Sequence, residues 1–152
     1  MDPLDFLKNA NSLMNSTEEA GRRSAVSRAY YDAFHYIRLY LIRESIDVPK
    51  DATAHEKLPK YLRNSGLENA KYVGQRLGEL KDDRWDADYK IAIEDLRRRE
   101  ETSVLERFNS GTCVLLVLKA DLVIRDFNSC KGKELINGIK KYITEVERGL
   151  PS

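Results

Sequence analysis

The stretch SAVSRAYYDAFHYIRLYLI, Ser24 to Ile42, decides the fold of this chain. It holds neither glycine nor proline. At about 100° per residue, Val26, Tyr30, Ala33, Ile37, Tyr40 and Leu41 fall on one side, the core stripe of a bundle helix. The opposite side holds Ser24, Arg28, Asp32 and His35, is continued by Leu39 and Ile42, and is flanked by Tyr31 and Arg38. A polar cluster bordered by aliphatic residues is the pattern of a surface that meets another chain or a neighbouring helix. Arg28 and His35 lie about two helical turns apart and project from one stripe. Only two histidines occur in the protein, His35 and His55, and histidine is the side chain that titrates nearest neutral pH. An arginine and a histidine in line on one helix face are therefore the first place to look for chemistry.

Working outward, the chain reads as helical nearly throughout. Asp2 and Pro3 form a cap and first-turn pair, and Leu4, Leu7 and Met14 follow at helical spacing, which predicts a short helix to about Asn15. Ser16-Thr17-Glu18-Glu19 has the form of a capping box, opening a second helix that runs to about Ser45. Pro49 closes the next connection. Thr53 and Glu56 suit a second capping box, and Leu58, Tyr61 and Leu62 predict a short helix with Pro59 in its first turn, stopped at Asn64-Ser65-Gly66. A fourth helix is expected from Glu68 to Lys81, with Tyr72, Val73, Leu77 and Leu80 inward. Asp82 to Tyr89 reads as a connection. The helical pattern then resumes from about Ile91 through Leu96, Val104, Leu105, Phe108 and the block Val114 to Leu118, ending near Asn128, with Asn109-Ser110-Gly111 as the point where it bends or splits. After the break at Lys131-Gly132, Leu135, Ile136, Ile139, Tyr142, Ile143 and Val146 predict a last amphipathic helix ending at Gly149 and Pro151. No alternating strand pattern, repeat or low-complexity tract is present. The expected fold is an all-α antiparallel bundle of five to six helices, one domain over residues 1–152.

Composition narrows the function classes. With 152 residues, 41% apolar and 34% charged, the chain is long enough for one core and short for two ordinary domains. Lys and Arg number 26 against 25 Asp and Glu, so a net charge of +1 gives no argument for a globally basic nucleic-acid binder. Any such site must be local. Cys113 and Cys130 fall in or beside apolar helical stretches and read as core thiols, not a disulfide framework or metal site. The acidic set Asp82, Asp83, Asp86 and Asp88 matches no calcium-loop spacing, and no GxxxxGK or GxGxxG loop occurs, so no metal or cofactor is expected. The start MDPLDFLKNANS lacks a basic n-region and an apolar h-region, and no run approaches the roughly 18 apolar residues of a membrane span, which makes a cytoplasmic location the expectation. Trp85 with Tyr89 offers either a base-stacking platform or a hydrophobic plug, the plug being the expected one. Arg97-Arg98-Arg99 with Glu100-Glu101 reads as a solvated helix face, and His55, near the start of a short helix, as a surface or capping residue.

SRAYYDAFHYI, followed by DRWDADYK and a long apolar helix, resembles the HEPN superfamily, in particular the compact single-domain prokaryotic members often encoded beside a minimal nucleotidyltransferase. The resemblance runs from about Ser24 to Phe127, and its most specific part is SRAYYxxFH. It implies a helical bundle that dimerises, and in many members a metal-independent endoribonuclease using an arginine and, four to six residues on, a histidine. Arg28, six intervening residues and His35 fit that spacing. Ala29 stands where active members often carry a polar residue, and the catalytic motif of the family commonly lies on a later helix. On the catalytic reading His35 exchanges a proton with the 2′-hydroxyl or the leaving 5′-oxygen, Arg28 holds the phosphate, and Asp32 orients the imidazole or pairs with Arg28. Arg22, Arg23 and Arg38 add phosphate contacts and Tyr31 flanks the RNA. Because the 2′-hydroxyl is the nucleophile, the substrate is RNA. The same residues also admit a bland reading: Arg28 and Asp32 as an ordinary i, i+4 ion pair and His35 as a packed histidine at a subunit contact. Two functions follow, a toxin-like or defence-linked homodimeric endoribonuclease, or a non-catalytic module binding a nucleotidyltransferase partner or a nucleotide.

Overall fold

The computed structural model describes residues 3–14, 16–97 and 108–149. They form six α-helices: α1 (Pro3–Leu13), α2 (Glu19–Arg43), α3 (Ala54–Arg63), α4 (Glu68–Arg97), α5 (Ser110–Cys130) and α6 (Lys133–Tyr142), the last prolonged by a π-helical turn, Ile143–Glu147. Among the described residues there is no strand, and the fold is an all-α helical bundle. The chain divides into two compact units, residues 1–33 with 79–121 and residues 34–78 with 122–152. Arg98, Arg99, Glu100, Glu101, Val104 and Leu105, which the sequence pattern places on a helix, lie outside the described residues.

The core of the first unit is built on Val26, Ala87, Phe108 and Cys113, all buried, with Leu116 packed against them. Fully burying side chains of this size contributes about 1.5–3 kcal/mol each for the larger ones. Two arginines reinforce this core from inside. Arg22 donates from Nε to the carbonyl of Phe108 (2.8 Å) and from Nη1 to those of Ser16 (3.0 Å) and Thr17 (2.9 Å), satisfying carbonyls that no helix serves. Arg23 is 3% exposed; its Nε meets Glu19 Oε1 at 2.6 Å, its Nη1 lies 3.3 Å from the carbonyls of Asp86 and Ala87, and its guanidinium covers the Phe108 ring at 4.5 Å.

These contacts explain why α4 does not stop at Lys81. Asp82 to Tyr89, expected as a connection, is helical without a break. Its inward side holds Asp86 and Ala87, at 9% and 1% exposure, and meets a guanidinium, so the segment lacks the apolar period that marks an ordinary buried helix face. Tyr72, expected inward on the same helix, is half exposed, whereas Val73, Leu77 and Leu80 are buried as their spacing predicts.

In the second unit, α2 ends at Arg43 and the turn after it places Ser45 at φ 61 while the amide of Ile46 bonds back to the carbonyl of Leu41 at 2.9 Å. This is the left-handed helix stop that glycine usually fills. Thr53 precedes α3 without capping it through its side chain. Instead Asp51 Oδ1 accepts the Thr53 amide at 2.9 Å, and that bonding, with the Thr53 hydroxyl contributing most, holds the Asp51 carboxyl below its ordinary range. Pro59 lies inside α3, beyond the first turn where it is expected, so the helix forgoes one backbone hydrogen bond there. Gly138 of α6 rides on the connection between α3 and α4: a Cβ there would stand 1.8 Å from the carbonyl oxygen of Ser65. The chain end is clasped by Lys57 Nζ on Glu147 Oε2 at 2.7 Å and by the rings of Tyr61 and Tyr142. Val146, read as part of the inward stripe, is 64% exposed because the π turn rotates it away.

Candidate functional site

Helix α2 carries Arg22, Arg23, Arg28, Tyr31, Asp32, His35 and Arg38, and its two ends treat them differently. In the first unit Ala25, Ala29 and Asp32 stand at i, i+4 and i+7, and all three are at 0% exposure. Asp32 thus belongs to the inward stripe and not to the outer polar face on which the sequence reading puts it, because the small alanines bring that side of the helix close to its neighbours. Arg28 is exposed and, among the described residues, has neither a hydrogen bond nor an ion pair. The Arg28–Asp32 ion pair of the bland reading is therefore not formed.

Arg23 and Arg22, expected to reach RNA phosphate, are tied within the protomer by the carbonyl contacts described above, and Arg23 is buried as well. The Arg23 guanidinium, enclosed in this way, is a packing group and not available to a polyanion, whereas Arg22 is half-buried and spends Nε and Nη1 on carbonyls. Tyr31 is half-buried and its hydroxyl accepts a hydrogen bond from Arg84 Nη2 at 2.8 Å, with the Arg84 guanidinium carbon 5.1 Å from the ring. Arg84 Nε also approaches Asp88 Oδ2 at 3.6 Å, and Ser27 Oγ donates to that same oxygen at 3.2 Å. Trp85 and Tyr89 do not plug the bundle: they are 49% and 54% exposed, with ring centroids 5.6 Å apart.

In the second unit, His35 is half-buried, and burial lowers its pKa from the ordinary 6.5, with the nearby Arg38 charge acting in the same direction. The imidazole is accordingly neutral at physiological pH. Arg38, also half-buried, donates from Nη2 to the carbonyl of Pro49 at 3.2 Å. Leu39 and Ile42 are 37% and 42% exposed, as the outer-face pattern predicts. His55, which the sequence marks only as a surface or capping residue, packs against α2. It is half-buried, and its ring stacks on Phe34 with centroids 4.2 Å apart and planes 23° apart, while His35 meets the same Phe34 edge-on at 5.2 Å. The only signal in the sequence that could have raised it is the scarcity of histidine.

Cys113 and Cys130 are free thiols, one buried and one partly so, and burial raises the pKa of both. Among the described residues no group of three or more His, Cys, Asp or Glu could hold a metal ion, and no helix is long and apolar enough to cross a membrane.

The family model described as HEPN domain matches residues 4–109, well over half of the chain. The chain belongs to the HEPN domain family, whose members are in general ribonucleases or nucleotide-binding helical modules. No curated protein and no solved structure matches it.

Proposed function

We propose that this chain is a metal-independent endoribonuclease that acts as a homodimer in the cytoplasm in a toxin-like or defence-linked role. His35 accepts the proton of a ribose 2′-hydroxyl, Arg28 holds the phosphate and stabilises the charge that develops on it, and Arg38 adds positive potential beside the imidazole. Tyr31 contributes an aromatic edge next to Arg28 on the helix. Asp32 is a positioning residue in this reading, since a carboxylate at 0% exposure does not itself meet RNA.

The observation that carries the reading is the placement of the two key groups on α2: an exposed arginine with no partner among the described residues and, seven residues on, a half-buried histidine whose pKa burial lowers. A general base must be neutral before it acts, and a phosphate-binding cation must not already be neutralised. The test is cleavage of total RNA by purified protein with EDTA present, alongside Arg28→Ala and His35→Ala variants whose helicity is checked by circular dichroism. Cleavage by the parent and its loss in both folded variants is the expected result. An inert parent, or equal cleavage by all three, would sink the reading.

A second reading is favoured by Leu39 and Ile42, two aliphatic side chains left substantially exposed. It makes the chain a non-catalytic module that docks a nucleotidyltransferase partner, or holds a nucleotide, through the outer face of α2. Expression in a host separates the two: a ribonuclease impairs growth and His35→Ala relieves it with soluble protein retained, whereas a docking module leaves growth unchanged.

A further inference from the structure

The two histidines of the chain come from different helices and meet on one buried ring. Phe34 is 3% exposed; His55 lies flat on it at 4.2 Å and His35 touches it edge-on at 5.2 Å, and both imidazoles remain partly open to solvent. The arrangement is held from outside the ring cluster. Ser45 turns the chain back at the end of α2, Ile46 and Val48 are buried at 4% and 6%, and Arg38 fastens the carbonyl of Pro49. This connection delivers the first turn of α3, and with it His55, to the side of α2. All of these residues belong to the second compact unit.

We propose that His55 is a second catalytic residue for RNA cleavage, the general acid that protonates the leaving 5′-oxygen while His35 takes the proton of the 2′-hydroxyl; the proposal rests on the ribonuclease reading above. An in-line displacement puts the attacking and leaving oxygens on opposite sides of phosphorus. Each needs its own proton-transfer group within about 2.6–3.2 Å, so acid and base must face one phosphate without touching one another. Phe34 is fixed by burial and in contact with both imidazoles, and on this proposal it sets their spacing. Imidazole is also the side chain able to hold and release a proton near neutral pH. In the step, the 2′-O–H proton passes to His35 and the 2′-oxygen forms a bond to phosphorus. The bond from phosphorus to the 5′-oxygen breaks with its electron pair on oxygen, which takes the proton of the His55 imidazolium. One RNA end leaves as a 2′,3′-cyclic phosphate and the other as a 5′-hydroxyl, and exchange with water returns His35 and His55 to their starting states.

The test uses the full chain and two RNA oligonucleotides that differ at one linkage, an ordinary 5′-oxygen or a 5′-bridging sulfur, whose thiolate departs without a proton. With EDTA present, His55→Ala is expected to cut the ordinary RNA on the order of 10²-fold or more slowly than the parent, the usual range for loss of a general acid. It should cut the sulfur-bridged RNA at nearly the parent rate, and His35→Ala should be slow on both. His55→Phe keeps a ring on Phe34 without a transferable proton, so it gives the same pattern should the alanine variant fail to fold. A folded His55 variant that is slow on both substrates, or as fast as the parent on the ordinary one, overturns the proposal while leaving the ribonuclease reading standing. A parent inert toward both substrates overturns the two together.

Discussion

Among single residues, the arginines of α2 divide sharply, and their variants should divide with them. Arg28→Ala removes an exposed side chain without a partner among the described residues, so cleavage should fall while stability changes by no more than about 0.5 kcal/mol. Arg23→Ala instead strips the Asp86 and Ala87 carbonyls and the Phe108 ring of their guanidinium, and urea unfolding should show a loss on the order of 2–4 kcal/mol. His35 gives a pH signature. Its pKa is lowered on folding, so the native state binds fewer protons than the unfolded chain. Its contribution is fully present above the ordinary value of 6.5 and is lost as pH falls through the lower native value. Melting temperature should therefore drop as pH falls from 6.5 towards that lower value and level off beneath it, and less so in a His35→Asn variant. Spacing alone puts Arg28 and His35 on one stripe of α2, and the structure leaves Arg28 exposed and His35 half-buried. The sequence does not separate Arg23 from Arg28 or show that Asp32 turns inward, since the depth of a polar side chain depends on which neighbours pack beside it. His55 escaped for the same reason: its stacking partner lies on another helix.

For whole helices, periodicity located α1, α2, α3 and α6 and the stop of α5 to within a few residues, and failed along α4. There the inward residues are Asp86 and Ala87 against a guanidinium, and a helix with a polar lining leaves no apolar rhythm to read. Helix ends were legible as positions but not as chemistry. At Ser16 the hydroxyl accepts the amide of Glu18 at 3.2 Å while Glu19 pairs with Arg23, so the reciprocal box does not form. The stop of α2 makes a prediction of its own. Ser45→Gly relieves a left-handed conformation that costs an ordinary residue about 1–2 kcal/mol, partly offset by the greater freedom of glycine when unfolded, and should raise stability by about 0.5–1 kcal/mol in thermal unfolding. Gly138→Ala runs the other way. A methyl group driven into the Ser65 carbonyl forces α6 off its seat, and a loss of about 1–3 kcal/mol or more is expected from the same measurement.

For the molecule as a whole, a net charge of +1 has consequences for how RNA would be held. With the Arg28 of each copy in the proposed homodimer as the phosphate contacts, the logarithm of affinity for single-stranded RNA should fall with the logarithm of salt at a slope of about −0.7 per contact. A titration at several ionic strengths should give a slope between −1 and −2, roughly, and a much steeper one would mean that a further basic surface takes part. The proposed assembly is tested by ultracentrifugation. Leu39→Arg with Ile42→Arg places two charges on the exposed aliphatic pair, and the double variant should sediment as a monomer and cleave slowly if that face joins two copies.

Trp85, the sole tryptophan of the chain, gives the two units separate optical voices. It lies half exposed beside Tyr89 in the first unit, whereas the second unit holds no indole and reports only through rings such as Tyr40, Tyr61 and Tyr142. Emission excited at the red edge thus follows residues 1–33 and 79–121, and tyrosine absorbance is weighted by the rest. Should the two melting curves coincide, the halves unfold as one cooperative body; should they part, the spectrum itself says which half gives way first.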